Sequence, residues 1–199
     1  LFLLWRRRSG LKPDDLRRLR GKTWLNDECI NAYLQLIQLR SPDTIHCFNT
    51  FFYANLAKNG YGSVQRWTRR FDLFSRALCL IPVHLGMHWT MAAIDFAGRR
   101  IFYIDSFHAG NQRCLQDLWG YLEQEHRDKK GTDWDSAGWI AQCLTEDIPM
   151  QMNGYDCGVF ACVFAEHIAR RAPFAFSQAD MPYFRHRITY ELLTKSFIQ

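Results

Sequence analysis

The chain has no two cysteines at CxxC spacing, which removes the usual framework of a structural zinc site. No apolar run approaches the roughly 18–20 residues of a membrane helix. The opening "LFLLW" is too short for a signal-peptide core, and no cleavage-site pattern follows it. Internal repeats, low-complexity tracts and obvious linkers are missing as well. There is no initiator Met, and the chain reads as a domain cut from a longer protein. With no secretory signal, the seven cysteines (Cys29, Cys47, Cys79, Cys114, Cys143, Cys157 and Cys162) are expected as reduced thiols. Most of them then behave as small buried hydrophobes in a cytosolic or nuclear compartment.

What is present suits one packed domain spanning residues 1–199, with 48% hydrophobic and 15% aromatic residues. The net charge of +5 is carried partly by basic pairs such as Arg69/Arg70 and Arg170/Arg171. Such a balance tolerates acidic partners without singling out nucleic acid. The stretches "WRRRSG" and "LRRLRG" are candidates for a basic surface. "VQRWTRRF" interleaves aromatic and basic residues, a pattern that also suits single-stranded nucleic acid. A non-catalytic module binding a modifier or nucleic acid is therefore one reading to carry.

Periodicity divides the chain into three stretches. "KPDDLRRL" starts a helix at Pro13–Asp14, and "TWLNDECINAYLQLIQLR" follows with Asn26 or Asp27 as its cap. "NTFFYANLAKNGYGSVQRW" is helical up to the stop signal Asn59-Gly60. "ALCLIPVHL", "HWTMAAIDF" and "RRIFYIDSF" are strands. "CLQDLWGYLEQEHRDKK", "GVFACVFAEHIARRA" and "MPYFRHRITYELLTKSFI" return to helical spacing. Helices, then a sheet, then helices make an α+β domain.

The stretch "IPMQMNGYDCGVFACVF" puts Cys157 between a polar turn and an apolar helix. A helix starting near Gly158 aims unpartnered N–H groups and a positive dipole end at the sulfur, and both favour a thiolate. Gly154 and Gly158 let backbone approach closely. A lone Cys is more often a buried filler, so the partners decide. Among seven histidines, His88 opens one strand, and the next ends in Asp105. A two-residue turn at Ala97-Gly98 makes paired positions sum to 195. His88 then faces residue 107, on the sheet face of Asp105, and the two side chains become diagonal neighbours. Asp105 would hold the imidazole tautomer and stabilise the imidazolium. His84 and His88 are four apart, but a metal pair at that spacing needs a helix, not strands. Gln151, six positions before Cys157, supplies a side-chain donor for an oxyanion beside the Cys157 N–H.

The order His, Asp, Gln, Cys, carried by "HLGMHWTMAAIDF", "IFYIDS" and "QMNGYDCGVFAC", resembles that of the ubiquitin-like-protein proteases. It is most similar to the SUMO (sentrin)-specific proteases, peptidase family C48. "WLNDECINAYLQLI", "FNTFFYANL", "GYGSVQRWTRRFDLFS" and "MPYFRHRI" extend the resemblance from Leu11 to the end. It implies a papain-like fold with a mixed central sheet, helices around it, and the site in a cleft between two subdomains. It implies cleavage after the C-terminal Gly-Gly of a SUMO-like modifier, both in maturing precursors and in releasing lysine conjugates. His88, Asp105, Gln151 and Cys157 match the catalytic positions. Trp24 and Trp89 match the aromatic lid and floor around the glycines. Asp27, Phe74 and His84 match positions that contact the body of the modifier. The resemblance further implies a monomer that needs no cofactor, metal, nucleic acid or membrane, in the nucleus, at its envelope or in the cytoplasm. A protease for another Gly-Gly modifier, NEDD8-like or ubiquitin, remains the nearest rival within the class. Tyr155 stands where several members carry a small residue.

Overall fold

Apolar residues from Leu78 to Ile104 sort by parity onto two faces of one sheet, and that sorting organises the molecule. In the computed structural model, which describes residues 11–198, the chain runs α1 (Pro13–Arg17), α2 (Asp27–Arg40), β1 (Ile45–Cys47) and α3 (Phe51–Asn59). Three short 3₁₀ turns cover Tyr61–Ser63, Gln65–Thr68 and Leu73–Ser75. Then come β2 (Leu78–His84), β3 (Trp89–Asp95), β4 (Arg100–Ile104), α4 (Gln112–Lys130), β5 (Ile140–Leu144), α5 (Cys157–Arg170), a 3₁₀ turn (Gln178–Asp180) and α6 (Met181–Thr194). The basic stretch "WRRRSG", residues 5–10, lies outside the described residues.

The sheet order is β1-β2-β3-β4-β5, antiparallel in the middle and parallel at both edges. This is the mixed sheet of an α+β fold. Leu80, Met91, Ala93, Phe102 and Ile104 face α1, α2, α5 and α6. Cys79, Ile81, Ala92, Ile94, Ile101 and Tyr103 face α3, α4 and the 3₁₀ turns. With both faces covered, the central strands are apolar without alternation. Each fully buried Leu, Ile or Val adds about 1.5–3 kcal/mol.

The β3–β4 hairpin has the predicted register: Met91 pairs with Ile104 and Asp95 with Arg100, so positions sum to 195. Asn26 caps α2 by accepting the Cys29 N–H at 3.2 Å. α3 ends at Asn59, where Gly60 takes φ +71°. The last helix stops at Thr194, short of the predicted reach, because Lys195 turns to φ +56°. The edge strands β1 and β5 were not expected. Each is short, and each is held by a parallel neighbour distant in sequence.

Candidate active site

α5 opens on Cys157, which leaves its backbone N–H without an intrahelical partner. The turn before it is built by Asn153, whose side-chain oxygen accepts the N–H groups of Tyr155 and Asp156, each at 3.1 Å. Asn153 Nδ2 also donates to Asp156 Oδ2 at 2.7 Å. Asp156 is buried against Arg185 from α6, whose Nε donates to Oδ1 at 2.8 Å. The same guanidinium donates to the carbonyl oxygens of Arg18 (3.0 Å), Thr23 (2.9 Å) and Tyr155 (3.1 Å). One buried cation thus ties the helix bearing the thiol to the segment that leads into Trp24.

Gly158 is required by close packing. A Cβ there would lie 2.8 Å from the Cβ of Leu25. Gly154 is different from the expectation, since a Cβ there would meet nothing within 4 Å. Its part in the site is its carbonyl oxygen, which accepts Trp24 Nε1 at 2.7 Å.

The hairpin register brings His88 and Asp105 together: Nε2 and Oδ1 are 2.6 Å apart. Asp105 is buried, and the same oxygen accepts the Phe107 N–H at 2.9 Å. Burial works against charge on the imidazole, but the hydrogen bonds and negative charge of Asp105 and Cys157 outweigh it. Together they lift the His88 pKa to about 9. With Nε2 held by Asp105, Nδ1 is the nitrogen left for the thiol. Elsewhere burial lowers histidines: His46, near Arg76, falls to about 4, and His84 and His167 are lowered too. Burial pushes the Cys29 and Cys114 thiols up to about 12, as expected of core cysteines.

Gln151 is buried beside this pair. Its backbone N–H donates to Ser106 O at 2.8 Å, and its Oε1 accepts from Ser106 Oγ at 2.8 Å. Its Nε2 donates one hydrogen to Asn153 O at 2.5 Å, leaving the second available. Asn153 O, which can only accept, therefore decides which end of the amide faces the turn, and the Ser106 hydroxyl donates to the other end. The sequence reading missed Ser106 and Arg185. A serine after a strand-ending Asp and an Arg on a helix carry no local signal of what they will touch.

Beside Cys157 runs a groove of about 430 Å³. Trp24, Asp27, His84 and Trp89 line it, as do Phe51 and Met87. Trp24 is 41% exposed and Trp89 only 6%. Trp89 Nε1 donates to Leu25 O at 3.0 Å, and its ring lies 4.2 Å from that of His84. Phe74 is not brought to this groove. It packs edge-on against Phe96 and His126, in the cluster that α3 and α4 cover. Among the described residues no group of three or more His, Cys, Asp or Glu is placed to hold a metal. No helix among them is long and apolar enough to cross a membrane.

A sentrin-specific protease of Caenorhabditis elegans is 50% identical over 189 residues, covering 92% of this chain and 27% of that protein. Sentrin-specific protease 5 of Homo sapiens is 40% identical over 191 residues, covering 96% of this chain and 25% of that protein. The chain thus spans about a quarter of the length of these relatives. Among solved structures, the C-terminal Ulp1 protease domain in complex with Smt3, the yeast ortholog of SUMO, superposes with a TM-score of 0.82 at 31% identity. That match covers 92% of this chain and 82% of the other. The Ulp1-like SUMO protease catalytic domain of Chaetomium thermophilum gives 0.78 at 26% identity, covering 98% and 90%. The model of the Ulp1 protease family, C-terminal catalytic domain, matches residues 23–197, and the chain belongs to that family.

Proposed function

We propose that residues 1–199 form one cysteine protease and isopeptidase domain that cleaves after the C-terminal Gly-Gly of a SUMO-like modifier. The observation that carries this reading is the 2.6 Å contact of His88 with buried Asp105, set beside Cys157 at a helix N-terminus. In the mechanism, the Sγ proton already rests on His88 Nδ1, and the Cys157 thiolate attacks the terminal glycine carbonyl. The free N–H of Gln151 and the Cys157 backbone N–H hold the oxyanion, worth about 2.7–4 kcal/mol per donor. His88 returns the proton to the departing lysine amine, and water then hydrolyses the thioester. Asp105 keeps the tautomer and stabilises the imidazolium.

Trp24 and Trp89 serve as walls for a segment without side chains, and Asp27 and His84 meet the modifier further out. Phe74, away from the groove, serves the modifier through the 3₁₀ segment that bears it. The sentrin-specific relatives and the Smt3-bound neighbour support SUMO over a NEDD8-like modifier or ubiquitin. A monomer working without cofactor, nucleic acid or membrane is the simplest form of this reading. Seven free cysteines support a reducing compartment, with the nucleus, its envelope or the cytoplasm as the place to look. The test is a panel of modifier C-terminal vinyl-sulfone probes. Capture of the SUMO probe, lost in Cys157→Ser, is expected; exclusive capture of ubiquitin or a NEDD8-like probe would overturn the substrate assignment.

A further inference from the structure

Phe107 is 44% exposed, yet its ring is not idle. It stacks on the His88 imidazole with centroids 4.8 Å apart and planes 28° apart. Its own N–H donates at 2.9 Å to the Asp105 oxygen that meets His88 Nε2. One residue therefore touches both halves of the pair. A phenyl face carries negative quadrupole charge, and an imidazolium lying flat on it is attracted more than a neutral imidazole is.

We propose that Phe107 is a positioning residue whose ring holds His88 against Asp105 and favours the imidazolium formed when Cys157 gives up its proton. This rests on the thiol-protease reading. The step is a single proton transfer: the Sγ–H bond breaks, an Nδ1–H bond forms, and the electron pair stays on sulfur. The charged and titratable groups facing His88 are Asp105 after β4, Cys157 at the start of α5 and His84 at the end of β2. Asp105 and the thiolate favour the imidazolium. His84, held towards its neutral form by burial, opposes it little.

The experiment measures kcat, KM, pH profiles and melting temperature for wild type, Phe107→Leu and Phe107→Tyr on a SUMO C-terminal amide reporter. Leucine keeps an apolar cover and removes the aromatic face; tyrosine keeps both. Phe107→Leu is expected to lower kcat about three- to thirty-fold, with KM nearly constant. Its alkaline limb should move to lower pH while its melting temperature stays put, and Phe107→Tyr should restore the rate. A wild-type kcat and limb in Phe107→Leu would overturn the proposal. So would a change in KM alone, which would make Phe107 a substrate contact. An inactive wild type would instead bring down the protease reading, and this proposal with it.

Discussion

The indole Nε1 of Trp24 donates to the carbonyl oxygen of Gly154 over 2.7 Å, joining two segments 130 residues apart above Cys157. One segment is a half-exposed loop and the other is the turn that launches α5. Trp24→Phe keeps an aromatic ring but drops this bond. A single hydrogen bond is worth about 0.5–1.5 kcal/mol, so kcat/KM should fall about two- to tenfold. Thermal unfolding should hardly change. Steady-state kinetics beside a melting curve checks both, and a large loss of stability would make Trp24 a core residue instead.

Gly158→Ala sets a methyl group 2.8 Å from Leu25 Cβ, an atom with no freedom to swing aside. Leu25 must shift, and its carbonyl holds Trp89 Nε1. Overpacking of this kind costs about 1–3 kcal/mol. Denaturant unfolding should show that loss, and the groove wall at Trp89 should move with it. A variant as stable and active as wild type would mean the helix start yields freely.

His88 is lifted above its ordinary value of 6.5, to about 9. A group that binds its proton more tightly when folded stabilises the fold fully below about pH 6.5. That contribution is lost as pH rises through about 9. Asp105→Asn removes the carboxylate, so the alkaline limb of kcat/KM should move down towards pH 6.5. By analogy with other triads, turnover should fall by about 10²–10⁴. A pH–rate profile of both proteins decides this, and an unmoved limb would remove Asp105 from the mechanism.

Ser106→Ala leaves Gln151 Oε1 buried without its hydroxyl donor and loosens the amide, which Asn153 O alone still orients. Gln151→Ala should cost about 10²–10³ in kcat, and Ser106→Ala about tenfold. The double variant should be no slower than Gln151→Ala alone, because Ser106 acts through Gln151. Additive losses would show that it does not.

Arg185→Ala leaves Asp156 as a buried carboxylate without its cation and orphans three carbonyl oxygens. Breaking such a pair from one side costs about 3–5 kcal/mol. Chemical denaturation should register that loss, and a change below about 1 kcal/mol would show that water replaces the guanidinium without penalty.

The hairpin was legible from local spacing, because a two-residue turn and the alternation of side chains along a strand fix which of them share a face. His88 and Asp105 could be paired on paper for that reason alone. The place of Cys157 at a helix start was legible too, since a polar turn met an apolar run there. The edges of the sheet became visible only in the folded chain. "IHC" and "IAQCL" are too short to declare themselves, and their partners are far along the chain. Packing alone placed Arg185 against the turn before Cys157, Ser106 on Gln151 and Phe107 on His88. Those contacts depend on where separate elements pack, and packing distance leaves no mark in local spacing.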